Sequence, residues 1–270
     1  MNLTRVLSIV LFLVSLGLAY YLYDTINSSI KFREYVADTE AQIKDKLEII
    51  REAEKAYLEQ HGRYTANWDS LINFIKNGQV PITVRTEKIT PLSYGQEKVE
   101  IIIDTIGYTS AFDRIFKKNI SLNATTDGVF AGFLVKPGDY VVKGRNAYRL
   151  RIHDNPRPDV FRFTEEGTIT SLANIKPGDR ITRGTNLINM WYYQLNPNVD
   201  LNTLHIVPGS GKPFAIYVGK VERNNLKVNV IEVKDPAPIN PDRRETNEAI
   251  NRQPLKFGSK TDVALSGNWE

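Results

Sequence analysis

The chain begins with an apolar stretch, residues 6–23, that no charged residue interrupts. As a helix these 18 residues would extend about 27 Å, close to the roughly 30 Å hydrocarbon core of a bilayer. Three tyrosines stand at its far end, where amphipathic rings prefer the headgroup level. The pattern predicts a transmembrane anchor at residues 1–28, with the bilayer as partner of Val6, Leu11, Phe12, Leu16, Tyr20 and Tyr23.

A cleaved signal peptide is the alternative for this stretch. Gly17-Leu18-Ala19 has the small-x-small form that signal peptidases accept, so cleavage after Ala19 stays open. The short N-terminal tail favours an N-inside orientation. We therefore expect a single-pass protein of the bacterial inner membrane with its main domain in the periplasm.

A long helical pattern follows, from about residue 29 to residue 60, without Gly or Pro. Apolar residues recur every seven positions, at Val36, Ile43, Ile50 and Tyr57. Polar residues interrupt the second seam that a coiled coil needs, at Thr39, Lys46 and Glu54. The pattern favours one amphipathic helix, continuous with the anchor, whose apolar stripe packs on the protein's own sheet. A coiled coil is the alternative.

The residues after this helix predict a turn and a second, shorter helix. Gly62 is typical of the residue that ends a helix. Thr65 or Asn67 can cap a helix over residues 68–76, and Asn77-Gly78 would end it.

The segment IREAEKAYLEQHGRYTANWDSLINFI, with the anchor before it, resembles the N-terminal half of pilin-like and pseudopilin-like proteins. Gly62-Arg63-Tyr64 and Asp69-Ser70-Leu71 stand where those proteins have a G-x-Y turn and a D-S-L-type helix. The resemblance covers about residues 6–80. It departs from the family in two respects: a prepilin-peptidase site does not precede the apolar run, and the run contains no glutamate.

An internal repeat is the strongest signal in the second half of the chain. LVKPGDYVVKGRNAYRL (134–150) and NIKPGDRITRGTNLINM (174–190) share six identical residues in seventeen positions at a constant offset of forty. Proline then glycine suits the two central positions of a type II turn, and the aspartate can bond back to the local backbone. Two equivalent structural turns are expected, at Pro137, Gly138, Asp139 and at Pro177, Gly178, Asp179.

Two such halves resemble the lipoyl/biotinyl-type barrel-sandwich hybrid, over about residues 127–190. In carrier members of that family, a lysine on the hairpin between the halves bears the prosthetic group. The corresponding residues 152–159 contain no lysine, so the resemblance implies a version without a cofactor. Such a version would serve as a spacer or docking module, as in membrane-fusion adaptors.

The remaining segments predict further strands and a packed C-terminus. Residues 99–106 read as a buried strand, and 213–220 and 227–233 as an antiparallel pair. Residues 235–241 form a proline-rich break, and 243–251 could be a short helix. Trp269 is expected to be packed or docked.

Composition narrows the range of functions. The net charge of +4 is not concentrated in a basic run, so a nucleic-acid partner is not expected. The absence of cysteine excludes disulfides and thiolate chemistry, and the three histidines show no ligand spacing. His153 beside Asp154 faintly resembles cell-wall metallopeptidases, but the rest of their ligand set is missing. We predict no catalytic residue, no metal site and no cofactor.

Together these patterns predict an α+β protein with four segments. They are an anchor (1–28), a pilin-like helical segment (29–80), a mainly antiparallel β-rich domain (81–234) and a linker with a tail (235–270). The ends also resemble small membrane-anchored proteins of Bacteroidota. The expected function is a non-enzymatic scaffold or assembly subunit of a bacterial envelope machine, pilus-like or secretory, in an oligomeric assembly with other envelope proteins. The alternatives are a membrane-fusion-like adaptor for a transporter and, less favoured, a cell-wall hydrolase relative.

Overall fold

The computed structural model describes residues 3–91, 97–152, 157–223, 225–237 and 254–270. For residues 3–6, 9–10, 89–91 and 97–100 it describes the backbone alone. The protein is α+β, with a long N-terminal helix and mainly antiparallel sheets, as the sequence predicts. The chain forms two compact units. We call residues 49–201 the central unit, and residues 1–48 with 202–270 the terminal unit.

The described residues include three α-helices and thirteen strands. The helices are α1 (Leu3–His61), α2 (Trp68–Asn77) and α3 (Ala111–Phe116). The strands are β1 (Gln79–Pro91), β2 (Glu97–Ser110), β3 (Lys117–Asn123), β4 (Gly128–Phe133), β5 (Tyr140–Val141), β6 (Asn146–Arg151), β7 (Asp159–Arg162), β8 (Gly167–Leu172), β9 (Arg180–Ile181), β10 (Asn186–Tyr193), β11 (Ala215–Arg223), β12 (Leu226–Lys234) and β13 (Lys256–Gly258).

The helix boundaries follow the predicted local chemistry. Helix α1 continues unbroken from the apolar stretch into the amphipathic one and ends before Gly62, which has φ +67° and donates its N–H to the Leu58 carbonyl. Helix α2 is capped by Asn67, whose side chain accepts the Ser70 N–H at 2.9 Å. Both predictions are confirmed. The sequence reading missed α3, which Ser110 caps by accepting the Asp113 N–H.

The predicted stripe of α1 is buried. Val36, Ile43, Ile50 and Tyr57 are each at most 9% exposed. Thr39 and Glu54, which interrupt the heptad pattern, are buried as well. Lys46 donates from Nζ to the carbonyls of Thr203 (2.6 Å) and Ile206 (2.8 Å), both in the terminal unit. A lysine within an apolar stripe therefore serves here to satisfy two main-chain acceptors.

The central unit contains two four-stranded antiparallel sheets, with strand orders β3-β10-β8-β5 and β7-β6-β4-β9. One hydrophobic core joins them, with members from both sheets, such as Phe130 and Leu150 in one and Ile169 and Ile188 in the other. Each sheet therefore buries one face against the same cluster of residues, and the repeated segment lies within this pair of sheets.

The third sheet of the central unit is the two-stranded ribbon β1-β2. The predicted strand at 99–106 exists within β2, but the prediction that it is buried is wrong. Ile101, Ile103 and Ile106 are 49%, 66% and 68% exposed. The apolar run correctly predicts a strand, but no other part of the described chain covers these isoleucines.

The terminal unit contains the sheet β11-β12-β13. Strands β11 and β12 pair in the predicted antiparallel hairpin, and Asn225 takes φ +62° in its turn. Strand β13 adds from the C-terminal segment and buries Phe257 completely. Gly267 bridges back to Phe257, and Trp269 has its indole Nε1 buried, so the prediction of a packed C-terminus is confirmed.

Three predictions lie outside the described residues, wholly or in part. They concern the tip of the hairpin at 152–159, the proline-rich break at 235–241 and the short helix at 243–251.

Candidate functional site

The N-terminal part of α1 exposes many large apolar side chains. Between residues 7 and 35 the large apolar and aromatic side chains that the structure describes are 50–73% exposed. Leu11, Phe12, Leu13 and Val14 are consecutive, and four consecutive residues point to all sides of a helix. We call residues 7–35 the apolar helix segment. A helix that is apolar on all sides requires an apolar environment around it.

The predicted anchor residues lie together on this segment. Leu11, Phe12, Leu16, Tyr20 and Tyr23 are all exposed. Val6 lies in α1, but its side chain is outside the described residues. Among the residues whose side chains are described, no helix reaches both the length and the apolar character that crossing a bilayer requires.

The two Lys-Pro-Gly-Asp turns adopt the same conformation. Gly138 and Gly178 have φ +89° and +105°, the positive values that a type II turn requires. In each turn the aspartate N–H donates to the lysine carbonyl, at 3.2 Å and 3.1 Å. The carboxylates of Asp139 and Asp179 accept the N–H groups of Lys136 and Lys176. The prediction of two equivalent turns stabilised by their own aspartates agrees with these bonds.

The turns bond across the two halves of the repeat. The Gly138 N–H donates to the Ile169 carbonyl, and the Gly178 N–H donates to the Phe130 carbonyl, each at 2.8 Å. In return, Ile169 N–H donates to Asp139 and Phe130 N–H to Asp179, both at carbonyl oxygens. Each half therefore supplies the main-chain partner of the other half's turn, and the turns serve the architecture of the sheets.

A buried carboxyl group is the strongest electrostatic feature that the sequence reading missed. Glu54 in α1 is 1% exposed, and its Oε2 accepts the Thr65 N–H at 3.0 Å. Its Oε1 has no hydrogen-bond partner among the described residues. Burial raises the pKa of Glu54 to about 8, an effect that the Thr65 N–H partly opposes. The pKa of Tyr64 is raised too, first by burial and then by the nearby Glu54 charge.

The Glu54 carboxyl bonds to the loop between α1 and α2, where it accepts the Thr65 N–H. Tyr57 stacks on His61, with ring centroids 4.1 Å apart, and Phe74 of α2 meets Tyr57 edge-on. Arg114 of α3 forms a two-pronged ion pair with Glu59 of α1. These contacts hold the end of α1, the loop and α2 together. Glu54 belongs to no group of three or more possible metal ligands among the described residues.

Two of the three histidines lie in the described part of the chain. His153 and its neighbour Asp154 lie outside the described residues. His61 belongs to the aromatic stack, and His205 lies in the other unit. No group of three or more possible metal ligands occurs among the described residues.

The sequence matches no protein-family model, and none of the curated proteins compared with it gives a significant match.

Proposed function

We propose that the protein is a non-enzymatic, membrane-anchored scaffold or assembly subunit of a bacterial envelope machine, pilus-like or secretory. The observation that carries the proposal is the apolar helix segment. Fifteen large apolar or aromatic side chains between Leu7 and Tyr35 are exposed, on all sides of one helix. In water this surface would be strongly unfavourable, at about 25 cal/mol for each Å² of apolar area. A bilayer accommodates such a helix without a protein partner.

The tyrosines of the segment support a membrane boundary. Tyr20, Tyr21 and Tyr23 are all exposed, and Asp24, the first charged residue after the apolar stretch, follows at once. Aromatic residues with a polar tip are enriched at the level of lipid headgroups. We place this end at the periplasmic surface of the inner membrane, with the residues that follow Tyr23 on that side.

A membrane-extraction experiment tests the anchor. Membranes from cells that express the full chain are washed with alkaline carbonate, and the protein is followed by immunoblotting. We expect the wild type to stay in the pellet and a Leu11→Lys, Leu16→Lys variant to be released. Ser28→Lys, Ser29→Lys is the matched control, because it adds the same charge outside the apolar stretch of residues 6–23. Release of the wild type by carbonate would refute the anchor.

Protease treatment of spheroplasts tests the orientation. We expect digestion of the units from the outside, before the inner membrane is made permeable. Digestion that requires permeabilisation would refute the periplasmic location. The intact mass of the membrane-bound protein also shows whether residues 1–19 have been removed.

A transporter adaptor is the second candidate, and the paired sheets of the central unit favour it. The two four-stranded sheets share one core, and each Lys-Pro-Gly-Asp turn exchanges main-chain hydrogen bonds with a strand of the other half. These features support a lipoyl-like barrel-sandwich arrangement. Mild cross-linking in cells followed by mass spectrometry separates the two candidates. Pilus or secretion components support the scaffold, whereas a transporter supports the adaptor.

A further inference from the structure

The ribbon β1-β2 exposes apolar side chains on both of its faces. Ile101 and Ile103 lie opposite Glu87 and Arg85 on one face, and Ile102 lies opposite Thr86 on the other. The apolar side chains described between Ile82 and Tyr108 are 37–68% exposed. Isolated two-stranded ribbons are marginally stable in water, and exposed apolar surface marks an interaction site. The ribbon is thus suited to be completed by another strand.

The two edges of the ribbon differ in a way that indicates which one accepts that strand. Strand β1 carries Pro81 and Pro91 near its ends. Proline has no N–H to donate to a neighbouring strand, so it prevents a sheet edge from pairing. Strand β2 has no proline, and three consecutive isoleucines lie at its centre. The open edge is therefore that of β2.

We propose that this edge pairs antiparallel with β2 of a second copy of the chain, around a twofold axis at Ile101. In an antiparallel ladder, the N–H and C=O groups of successive residues point alternately to the two edges of a strand. A residue whose backbone groups point to the free edge therefore pairs only with a residue of the other copy whose groups also point to its free edge. Two identical strands must then have a residue, and not a peptide bond, at the axis. The possible centres within the isoleucine-rich part are residues 99 to 103.

Charge and apolar matching select among these centres. A centre at 100 places Glu100 opposite itself, and a centre at 102 places Glu100 opposite Asp104; like charges directly opposite each other are destabilising. A centre at 99 leaves only residues 97–101 of β2 paired, and a centre at 103 places no opposite charges against each other. A centre at 101 places position 98, a lysine, opposite Asp104 on both sides of the axis.

The same register brings the apolar positions together. Ile101 lies opposite its own copy, and Ile103 lies opposite position 99, a valine, so one face gains a continuous row of six β-branched residues. Glu87 and Arg85 of β1 border this row as a charged rim. On the other face Ile102 lies opposite Glu100, and the two lysine–aspartate pairs flank these positions. The pairing makes a four-stranded sheet from two ribbons.

This self-association concerns a second surface and would hold whether or not the proposed membrane anchoring is correct. It identifies the partner of the scaffold as another copy of the same chain. The absence of cysteine from the sequence makes an unambiguous test possible, because a single introduced cysteine is the only thiol. Directly opposed residues in antiparallel strands have Cα atoms about 4.5–5.5 Å apart, within disulfide range.

The test uses the full-length chain in detergent, oxidised with copper phenanthroline and resolved on a non-reducing gel. We expect Ile101→Cys to give mostly covalent dimer and Ile103→Cys at least fivefold less, because residue 103 does not oppose itself. Val84→Cys, on the protected strand β1 and exposed to a similar extent, serves as the accessibility control and should remain monomeric. Equal yields from Ile101→Cys and Ile103→Cys would overturn the register, and preferential cross-linking of Val84→Cys would overturn the choice of edge.

A second variant tests the association without a cysteine. Ile103→Lys places like charges within the apolar row and should reduce the mass measured by light scattering from two chains to one. Its circular dichroism should not change, because Ile103 is exposed. A wild type that is monomeric at all concentrations would overturn the proposal and leave the edge to a different protein. Carbonate extraction of Ile103→Lys is unaffected in either case, so failure of this proposal and failure of the anchor are distinguishable.

Discussion

The buried Glu54 gives the most direct quantitative prediction. Its pKa is about 8 in the folded protein against 4.5 for the free side chain. Between these values the folded state holds a proton that the unfolded state has released, so stability falls as the pH rises from 4.5 to 8 and is constant outside that range. Since one pKa unit corresponds to 1.36 kcal/mol, the full effect is about 5 kcal/mol. Glu54→Gln removes the titrating proton and keeps an oxygen that can accept the Thr65 N–H.

The assay is guanidinium unfolding of the full chain in detergent at pH 5.5, 7 and 8.5, followed by tryptophan fluorescence. We expect the glutamine variant to be similar to the wild type in stability at pH 5.5, within about 1 kcal/mol, since glutamine resembles the protonated acid in shape. At pH 8.5 the variant should be more stable by several kcal/mol. Glu59→Gln is the matched control, because Glu59 is partly exposed and ion-paired with Arg114. A difference between Glu54→Gln and wild type that is the same at all three pH values would refute the reasoning.

Three further predictions concern stability, each measured by chemical unfolding. Gly138→Ala and Gly178→Ala should each cost about 1–2 kcal/mol, because both glycines have positive φ although their surroundings are open; Gly107→Ala, equally open but without positive φ, is the control. Lys46→Met should lower the stability of the terminal unit by about 1.5–3 kcal/mol, because two carbonyls lose a charged donor, whereas the half-exposed Lys55→Met should change it little. Phe257→Ala should cost about 3–5 kcal/mol and the partly exposed Val263→Ala less than about 0.5 kcal/mol; equal effects would mean that β13 does not complete the sheet.

Local chemistry made several elements predictable from the sequence. Gly62 and Asn67 each have one strong structural preference, and both bound helices where that preference requires. The repeated turns were predictable for the same reason, since proline and glycine restrict the backbone irrespective of the surroundings. The β11-β12 hairpin follows from alternating residues on either side of a short polar turn.

Predictions that depend on tertiary packing were less successful. The isoleucines of β2 indicate a strand that requires an apolar partner, but the sequence does not say whether that partner belongs to the same chain. In the sequence Glu54 only interrupts the heptad pattern, and only the fold shows that it is buried and accepts the Thr65 N–H. Helix α3 is six residues long, too short for a periodic pattern.

The exchange of hydrogen bonds between the two turns has a consequence for how the polypeptide is made. The Gly138 N–H has no acceptor until Ile169 is synthesised 31 residues later, whereas Phe130 is already present when Gly178 is synthesised. The turn of the first half therefore lacks its main-chain partner until the second half is synthesised. The two sheets can complete their pairing only after that point. Two separately expressed halves, each unfolded alone, should accordingly assemble when mixed.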